Sequence, residues 1–252
     1  MKKLTRKGKQ IRRQKIAVGG AVAIVLGILL YFSFVAVTDQ NLDEITAGVH
    51  YRELAEPRRI RGNKIEIIEL FSYGCVHCFR FEPLLADWVR DNGDKIRFVR
   101  APSMASRAWQ PLARSYFTTE ALGITEDVHM DLFRQIHNGG KIFSDKEEFA
   151  DWFDGRGTTR AEYLKTWDSP QVQNLVRSGD RMQRRAQVSS VPTIIVHGKY
   201  VISPTAQVGT NRMLQVMDHL VASEIAERAA DSADTAPNAG APDDPAPSAA
   251  GE

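Results

Sequence analysis

The chain has 252 residues, 43% hydrophobic and 25% charged, with a formal net charge of +2. Such a length and composition are typical of one or two globular domains and exclude a collagen-like chain, wholesale disorder and a multi-span channel. The charge is uneven: residues 1–15 carry eight basic residues and no acid, and residues 223–252 carry seven acids against one arginine. The part between them is close to neutral, which gives no reason to expect nucleic acid as a partner.

An uncharged apolar segment, residues 16–37, follows the basic arm. At about 1.5 Å per residue it is about 33 Å long, enough to cross a bilayer core of about 30 Å. We predict an uncleaved transmembrane anchor in the bacterial inner membrane, with the arm cytoplasmic and everything after Val37 in the periplasm. The alternative is a cleaved signal peptide, but its apolar part is normally only about 7–15 residues and ends in a small-x-small site, which this segment lacks.

Alternating strand and helix signals follow in the rest of the chain. The predicted strands are apolar and β-branched: residues 64–71, 96–99, 193–196 and 199–202. A helix runs from the cysteines to Asn92-Gly93, about five helices follow the second strand, and an amphipathic helix ends the pattern. The helices of the middle block begin at capping residues: Thr125, Ser144, Thr159 and Ser169. This order predicts an α/β sheet domain that is interrupted by an all-helical insert.

The predicted divisions of the chain follow these patterns. They are a basic cytoplasmic arm (1–15), an anchor (16–37), a linker (38–50), the sheet domain (51–222) with its helical insert at about 103–188, and a disordered acidic Ala/Pro tail (223–252). The tail has almost nothing to bury, so a solvated segment is the simplest interpretation, although an interaction role is open.

The two cysteines, Cys75 and Cys78, lie where the predicted central strand leads into a helix. In such a turn the Cys75 thiolate faces unpaired helix N–H groups and the positive end of the helix dipole, and a protonated His77 adds to the effect. We therefore expect a lowered pKa for Cys75, which stabilises the reduced form and makes a Cys75–Cys78 disulfide an oxidant. Cys78, one helical turn inward, would be the resolving thiol.

Three other interpretations of this CxxC stay open. A zinc site normally takes four ligands, but the chain has no second pair of cysteines and its other histidines are scattered singly. An inert structural disulfide at this spacing closes almost no loop and would stabilise little. A tethered holdase or metal-binding module could also use such a domain without turnover.

Glu69 stands in a strand otherwise made of Ile and Leu, six positions before Cys75. A buried carboxylate there could relay protons as Cys78 deprotonates. The alternative is a glutamate at the strand end that faces solvent. Glu82, one turn past Cys78, is expected on the helix surface.

Val191-Pro192-Thr193 opens the late strand. A cis Val191–Pro192 bond would place the Val191 backbone beside the cysteines, ready to pair with an extended substrate chain. An ordinary trans proline at the start of a strand is the alternative, because proline has no N–H to donate.

Two joined motifs resemble a known family. Residues 71–79, FSYGCVHCF, with Phe81-Glu82 resemble the active-site segment of DsbA-type thiol:disulfide oxidoreductases, and residues 191–194, VPTI, followed by HGKY at 197–200 resemble that family's cis-proline segment and hairpin. The resemblance covers roughly residues 51–220. It implies a thioredoxin-like fold with an inserted all-helical domain.

The resemblance also implies an activity: an enzyme that donates its disulfide to exported proteins through a mixed disulfide and is reoxidised by a DsbB-like membrane quinone reductase. We predict a monomer without a cofactor or metal. Cys75 matches the family's nucleophile, Cys78 its resolving partner, and His77 the histidine that stabilises the thiolate. Glu69 matches the buried acid and Pro192 the cis-proline. Val76 stands where the commoner family turn has proline, and a reductase or isomerase of the same fold is the alternative.

Overall fold

The computed structural model describes residues 19–20, 24–31 and 44–234. Residues 24–31 are helical. Within these ranges, no helix is both long and apolar enough to cross a membrane. The basic arm (1–15) and much of the predicted anchor (16–37) lie outside the described residues. The unit that begins at Thr46 is compact by itself and contains both cysteines.

A five-stranded sheet forms the centre of this unit, in the order β1-β5-β4-β2-β3. The strands are β1 (Arg52–Glu53), β2 (Ile65–Phe71), β3 (Ile96–Pro102), β4 (Thr193–Val196) and β5 (Tyr200–Ile202). β2 runs parallel to β3 and antiparallel to β4, and β5 pairs antiparallel with both β4 and β1. β2 is buried along its whole length, as its continuous apolar pattern predicts for a central strand.

Seven helices and one short 3₁₀ turn surround the described sheet. They are α1 (Val76–Asp91), the 3₁₀ turn (Arg107–Trp109), α2 (Gln110–Leu122), α3 (Thr125–His137), α4 (Lys146–Phe153), α5 (Arg160–Trp167), α6 (Pro170–Arg185) and α7 (Thr210–Asp234). Five of them, α2 to α6, lie between β3 and β4, in the chain order that the sequence predicts. One hydrophobic core cluster joins these helices to the end of β2, and in it Phe71 and Tyr73 both pack against Phe133.

Helix starts agree with the capping signals at two positions and differ at two others. Thr159 and Ser169 each accept a hydrogen bond from the backbone N–H three residues on, as predicted. α4 is capped by Asp145 instead of Ser144. Thr125 is the first residue of α3, and its buried hydroxyl bonds to another threonine within the core instead of capping the helix.

The boundary predicted for the disordered tail is wrong, because α7 continues to Asp234. Glu224 is almost fully buried and accepts a hydrogen bond from Lys199 Nζ at 2.7 Å. Arg228 approaches His197 with 2.5 Å between its Nη2 and the ring Nε2. These contacts with the β4–β5 hairpin hold residues that composition alone classes as solvated. Residues 235–252 lie outside the described residues.

Candidate active site

The turn between β2 and α1 places the cysteines at a helix N-terminus. Cys75 is the N-cap of α1 in an extended conformation, with φ −101° and ψ 113°. Its Sγ accepts a hydrogen bond from the Cys78 backbone N–H at 3.3 Å, and its own N–H donates to the Ser72 carbonyl at 3.0 Å. Sulfur thus takes the place that Ser, Thr or Asp oxygens normally take at a helix start, where a thiolate gains most from the orphan N–H groups.

The two thiols differ in exposure and in acidity. Both are free, Cys78 is fully buried, and Cys75 retains 8% of its surface. A hydrogen bond from the Cys78 thiol, followed by those from the backbone N–H groups of Cys78 and His77, lowers the pKa of Cys75 to about 6. Burial raises the pKa of Cys78 far above the ordinary value of a thiol. Cys75 is therefore the thiolate at neutral pH, and Cys78 holds its proton.

His77 lies exposed on the first turn of α1, beside Cys75. Its charge lowers the pKa of Cys75, but less than the hydrogen bonds do. Val76 is 41% exposed next to it. The turn therefore draws its acidity mainly from the helix N-terminus and the second thiol, and the charge of His77 adds to it.

A loop before β4 faces Cys75 across the turn. The Val191–Pro192 peptide bond is cis, and the Cys75 thiol lies 3.6 Å from the Val191 carbonyl oxygen. The Thr193 hydroxyl donates to the Ser190 carbonyl at 2.9 Å, which ties the two sides of the loop together. The Val191 backbone is thus beside the cysteines, as the cis hypothesis requires, and a role in holding substrate stays a prediction.

Glu69 is fully buried, and it is close enough to the cysteines for its charge to raise the pKa of Cys78, so the solvent-facing alternative is wrong. Burial, followed by the charge of Glu82, raises the pKa of Glu69 well above its ordinary value. The Arg100 guanidinium lies 3.8 Å away and opposes this shift. Neither carboxyl oxygen makes a well-formed hydrogen bond to the described residues. A neutral Glu69 side chain is the form that such surroundings favour.

The expectation that Glu82 lies on the helix surface is wrong, because its side chain is only 1% exposed. It accepts a hydrogen bond from Arg100 Nη2 at 2.6 Å, and the His129 Nε2 atom lies 3.3 Å from the same oxygen. Burial opposes ionisation, but His129 and Arg100 together lower the pKa of Glu82. Glu82 lies four residues after the buried Cys78, and this helical spacing could have indicated its burial.

Gly74 allows the side chains of Trp109 and Leu112 to pack closely against the turn. A Cβ atom at this position would lie 2.9 Å from Trp109 Nε1 and 3.2 Å from Leu112 Cδ1, both too close for any larger residue without movement. The half-buried Trp109 indole therefore packs directly against the backbone before Cys75. Nothing in the sequence pattern connects these two positions.

Metal ligands would have to come from groups of His, Cys, Asp and Glu side chains. Within the described ranges, no three such side chains lie together in a way that could hold a metal ion. The polar groups under the cysteines instead pair with Arg100, a cation that would compete with a metal.

Comparison with known proteins gives consistent relatives. The family described as a DSBA-like thioredoxin domain matches residues 94–221. The thiol:disulfide interchange protein DsbA of Pseudomonas syringae pv. tomato is 35% identical over 203 residues, which cover 80% of this chain and 94% of that protein. DsbA of Pseudomonas aeruginosa is 34% identical over 183 residues, covering 72% and 87% of the two chains.

Solved structures agree with this result. The crystal structure of Pseudomonas aeruginosa DsbA is similar with a TM-score of 0.69 at 33% identity, over 76% of this chain and 98% of that one. The structure of the oxidoreductase DsbA from Xylella fastidiosa has a TM-score of 0.68 at 27% identity, over 72% and 98%. The predicted thioredoxin-like fold is therefore confirmed.

Proposed function

The chain belongs to the DsbA family of thioredoxin-like thiol:disulfide oxidoreductases, and from this premise we propose that Cys75 and Cys78 carry its reaction. It is a thiol:disulfide interchange protein that donates a disulfide to exported proteins in the periplasm. Its partners are reduced exported proteins and, as for the family in general, a DsbB-type reoxidant. We propose a membrane quinone reductase of this type for the present chain, which acts as a monomer.

The reaction consists of two thiol–disulfide exchanges. A substrate thiolate attacks the Cys75 sulfur of the oxidised pair, the Cys75–Cys78 bond breaks, and Cys78 leaves and takes up a proton. A second substrate thiolate then attacks the substrate sulfur of the mixed disulfide, and Cys75 leaves as the thiolate. The substrate has lost two electrons and gained a disulfide, and the enzyme pair is a dithiol that the reoxidant must restore.

The surrounding residues have separate roles in these two steps. His77 stabilises the Cys75 thiolate, which improves it as the leaving group of the second exchange. Glu69 supplies or takes the proton of the buried Cys78. Pro192 in its cis form presents the Val191 backbone, to which an extended substrate chain pairs with little sequence selectivity.

One observation carries the proposal: the two thiols have strongly unequal surroundings, although only two residues separate them. Cys75 is acidic and borders solvent, whereas Cys78 is buried and keeps its proton. This inequality suits a pair in which one sulfur is attacked and released by substrate and the other only resolves.

The test is exchange with a reduced dithiol peptide, followed by mass spectrometry. Cys75→Ser should abolish exchange, because no sulfur remains at the attacked position. Cys78→Ser should lack a disulfide of its own but should trap Cys75 as a stable mixed disulfide with an oxidised peptide. Turnover at the wild-type rate in Cys75→Ser would reject the assignment.

The inner-membrane anchor is a second proposal, for residues 16–37. It rests on 22 residues without a charge after eight basic residues, and on the exposed apolar side chains of the helical residues 24–31, such as Leu29 and Leu30. An anchored enzyme would have its reaction confined to the neighbourhood of the inner membrane.

Carbonate extraction of membranes from cells that express the full chain tests the anchor. We expect the chain in the pellet at full mass, and we expect Leu26→Arg with Leu29→Arg to release it, since each arginine costs about 2.5–3.5 kcal/mol at a helix centre. A chain recovered in the soluble periplasm without residues 16–37 would instead establish a cleaved signal peptide.

A further inference from the structure

One face of α3 in the helical insert contacts the redox turn, which we define as residues 72–79. His129, Phe133 and His137 are spaced four residues apart, so they lie above one another on the helix. His129 Nδ1 lies 2.8 Å from the Tyr73 hydroxyl, and His137 Nε2 lies 2.9 Å from the Tyr73 carbonyl oxygen. Two histidines of the insert thus hold opposite ends of the same residue, two positions before Cys75.

The same face also contacts the turn after the cysteines. The His137 ring stacks on Phe79 with 5.0 Å between centroids and 13° between planes. Phe133 packs against both Tyr73 and Phe79, at 4.8 and 6.0 Å between centroids. Tyr73, two positions before Cys75, and Phe79, the residue after Cys78, are therefore both held by α3, a helix that lies more than 40 residues later in the chain.

The hydrogen-bond directions of the two histidines follow from their partners. A backbone carbonyl can only accept, so His137 Nε2 carries a hydrogen and donates to Tyr73, whatever the charge of the ring. His129 Nε2 faces the ionised Glu82 carboxylate, so this nitrogen carries the hydrogen. His129 Nδ1 therefore accepts a hydrogen bond from the Tyr73 hydroxyl. Burial lowers the pKa of His129, which agrees with this neutral ring.

We propose that His137 and His129 are positioning residues of the exchange reaction, which fix the redox turn so that Cys75 Sγ stays on the Cys78 N–H and beside Val191. The proposal rests on the proposed function, and it adds two residues that lie outside the cysteine motif and the cis-proline loop. After the hydrogen bond from the Cys78 thiol, the acidity of Cys75 depends on the Cys78 backbone N–H, whose nitrogen lies 3.3 Å from Cys75 Sγ. A turn released at Tyr73 would lengthen this contact and weaken the thiolate.

Two substitutions of His137 separate its donor from its ring. His137→Phe keeps the stacked ring on Phe79 but removes the N–H, and His137→Gln restores a donor without the ring. His219→Phe on the exposed surface of α7 is the control for loss of a histidine. Each variant is measured for thiolate absorbance against pH, for the exchange rate with the reduced dithiol peptide, and for unfolding in denaturant.

In His137→Phe we expect the midpoint of the Cys75 thiolate to rise by about half a pH unit or more and the second exchange to slow about twofold for each half unit, because a less acidic thiol is a poorer leaving group. His137→Gln should return the midpoint and the rate most of the way to their wild-type values, and His219→Phe should match wild type. A His137→Phe protein that folds with an unchanged thiolate midpoint would overturn the positioning role. The midpoint is measured without substrate, so it decides this proposal even if the wild type proves inactive in exchange.

The His129 contact is tested with Tyr73→Phe, which removes the hydroxyl and keeps His129 beside Glu82. We expect the thiolate midpoint to rise in this variant too, in the same direction as in His137→Phe. A wild-type midpoint in the folded Tyr73→Phe protein would confine the positioning role to His137 and reject it for His129.

Discussion

Strand β2 carries two buried glutamates, Glu66 and Glu69, and their surroundings are opposite in kind. They are three residues apart, so their side chains point to different faces of the sheet. Glu66 accepts hydrogen bonds from Arg58 and Arg97, one on each carboxylate oxygen. Among the described residues, Glu69 pairs with Arg100 alone, at 3.8 Å, and shares it with Glu82, so the pKa of Glu69 is raised.

The difference separates a structural charge from a reactive one. The pairs of Glu66 are complete, and its strand also accepts the His197 N–H at 2.6 Å, so this end of the sheet fixes the hairpin and α7. Glu69 makes no hydrogen bond to the described residues, and its charge acts on Cys78, a buried thiol whose proton must move. A buried acid that lacks partners is costly for stability, which explains why it belongs at the site of chemistry and its partnered neighbour at the site of assembly.

The largest effect should be a pH dependence of the stability of the reduced protein, caused by Cys75. Cys75 has an ordinary pKa of 9.0 that falls to about 6 in the fold. A lowered pKa adds stability to the reduced protein that is absent below pH 6, grows from there and is complete above pH 9. Its upper limit is about 4 kcal/mol before solvent screening at this surface-bordering thiol.

Denaturant unfolding of the reduced and oxidised forms at pH 5, 7 and 8.5 measures this difference. The oxidised form has no thiol to titrate and is the control. The reduced form should gain on it steadily from pH 5 to 8.5, and the couple should be more oxidising than thioredoxin's about −270 mV. A gap between the two forms that does not change with pH would show that the helix N-terminus does not stabilise the thiolate.

The next largest effect should come from the Glu66 ion pairs. Glu66→Gln removes a carboxylate that holds two arginines, each of which is about half exposed, so the cost should be about 2 kcal/mol. It should be equal in the reduced and oxidised forms, because this cluster does not touch the cysteines. Asp131→Asn breaks an exposed pair with Arg134 and is the control, at about 0.5 kcal/mol or less. A stability cost that differs between the reduced and oxidised forms would show that the Glu66 cluster and the cysteines are coupled.

Glu69→Gln should do the reverse, with slower exchange and little loss of stability. Loss of the proton carrier under Cys78 should slow the exchange about tenfold, which is about 1.4 kcal/mol of barrier. Since the folded pKa of Glu69 is raised, the wild type loses stability as the pH rises above about 4.3, where only the unfolded chain ionises. The variant lacks this loss, so unfolding at pH 5 and 8 should show its relative stability increasing with pH. An unchanged exchange rate would remove Glu69 from the reaction.

Local signals in the sequence predicted most of the sheet and the redox turn. The strand pattern of residues 64–71 and the caps at Thr159 and Ser169 are decided within a few residues, and the structure bears them out. The position of the cysteines at a helix start is local in the same sense. Such features depend on backbone conformation and nearest neighbours, which a single sequence displays directly.

Contacts between distant segments were beyond the sequence. The burial of Glu82 depends on Arg100 and His129, which reach it from a strand and from the helical insert. In the part of α7 that lies beyond residue 222, Glu224 is buried and pairs with Lys199 of the hairpin. In both cases a charged residue is buried together with a partner that is distant in the sequence, and composition gives no information about which partner that is.

The smallest effect should come from adding one methyl group at Gly74, in the redox turn, or at Gly93, just past the end of α1. Gly74→Ala places its Cβ 2.9 Å from Trp109 Nε1, so the indole must shift at a cost of about 1 kcal/mol. Gly93→Ala, just past the end of α1, meets only ordinary contacts at 3.5 Å and should leave stability equal or slightly higher. Unfolding of both variants, repeated in a Trp109→Phe background, isolates the contact as a coupling energy. The stability cost of Gly74→Ala should shrink in that background, because the smaller phenyl ring leaves room for the added methyl group. An undiminished cost would mean that the turn excludes a side chain for a reason other than contact with Trp109.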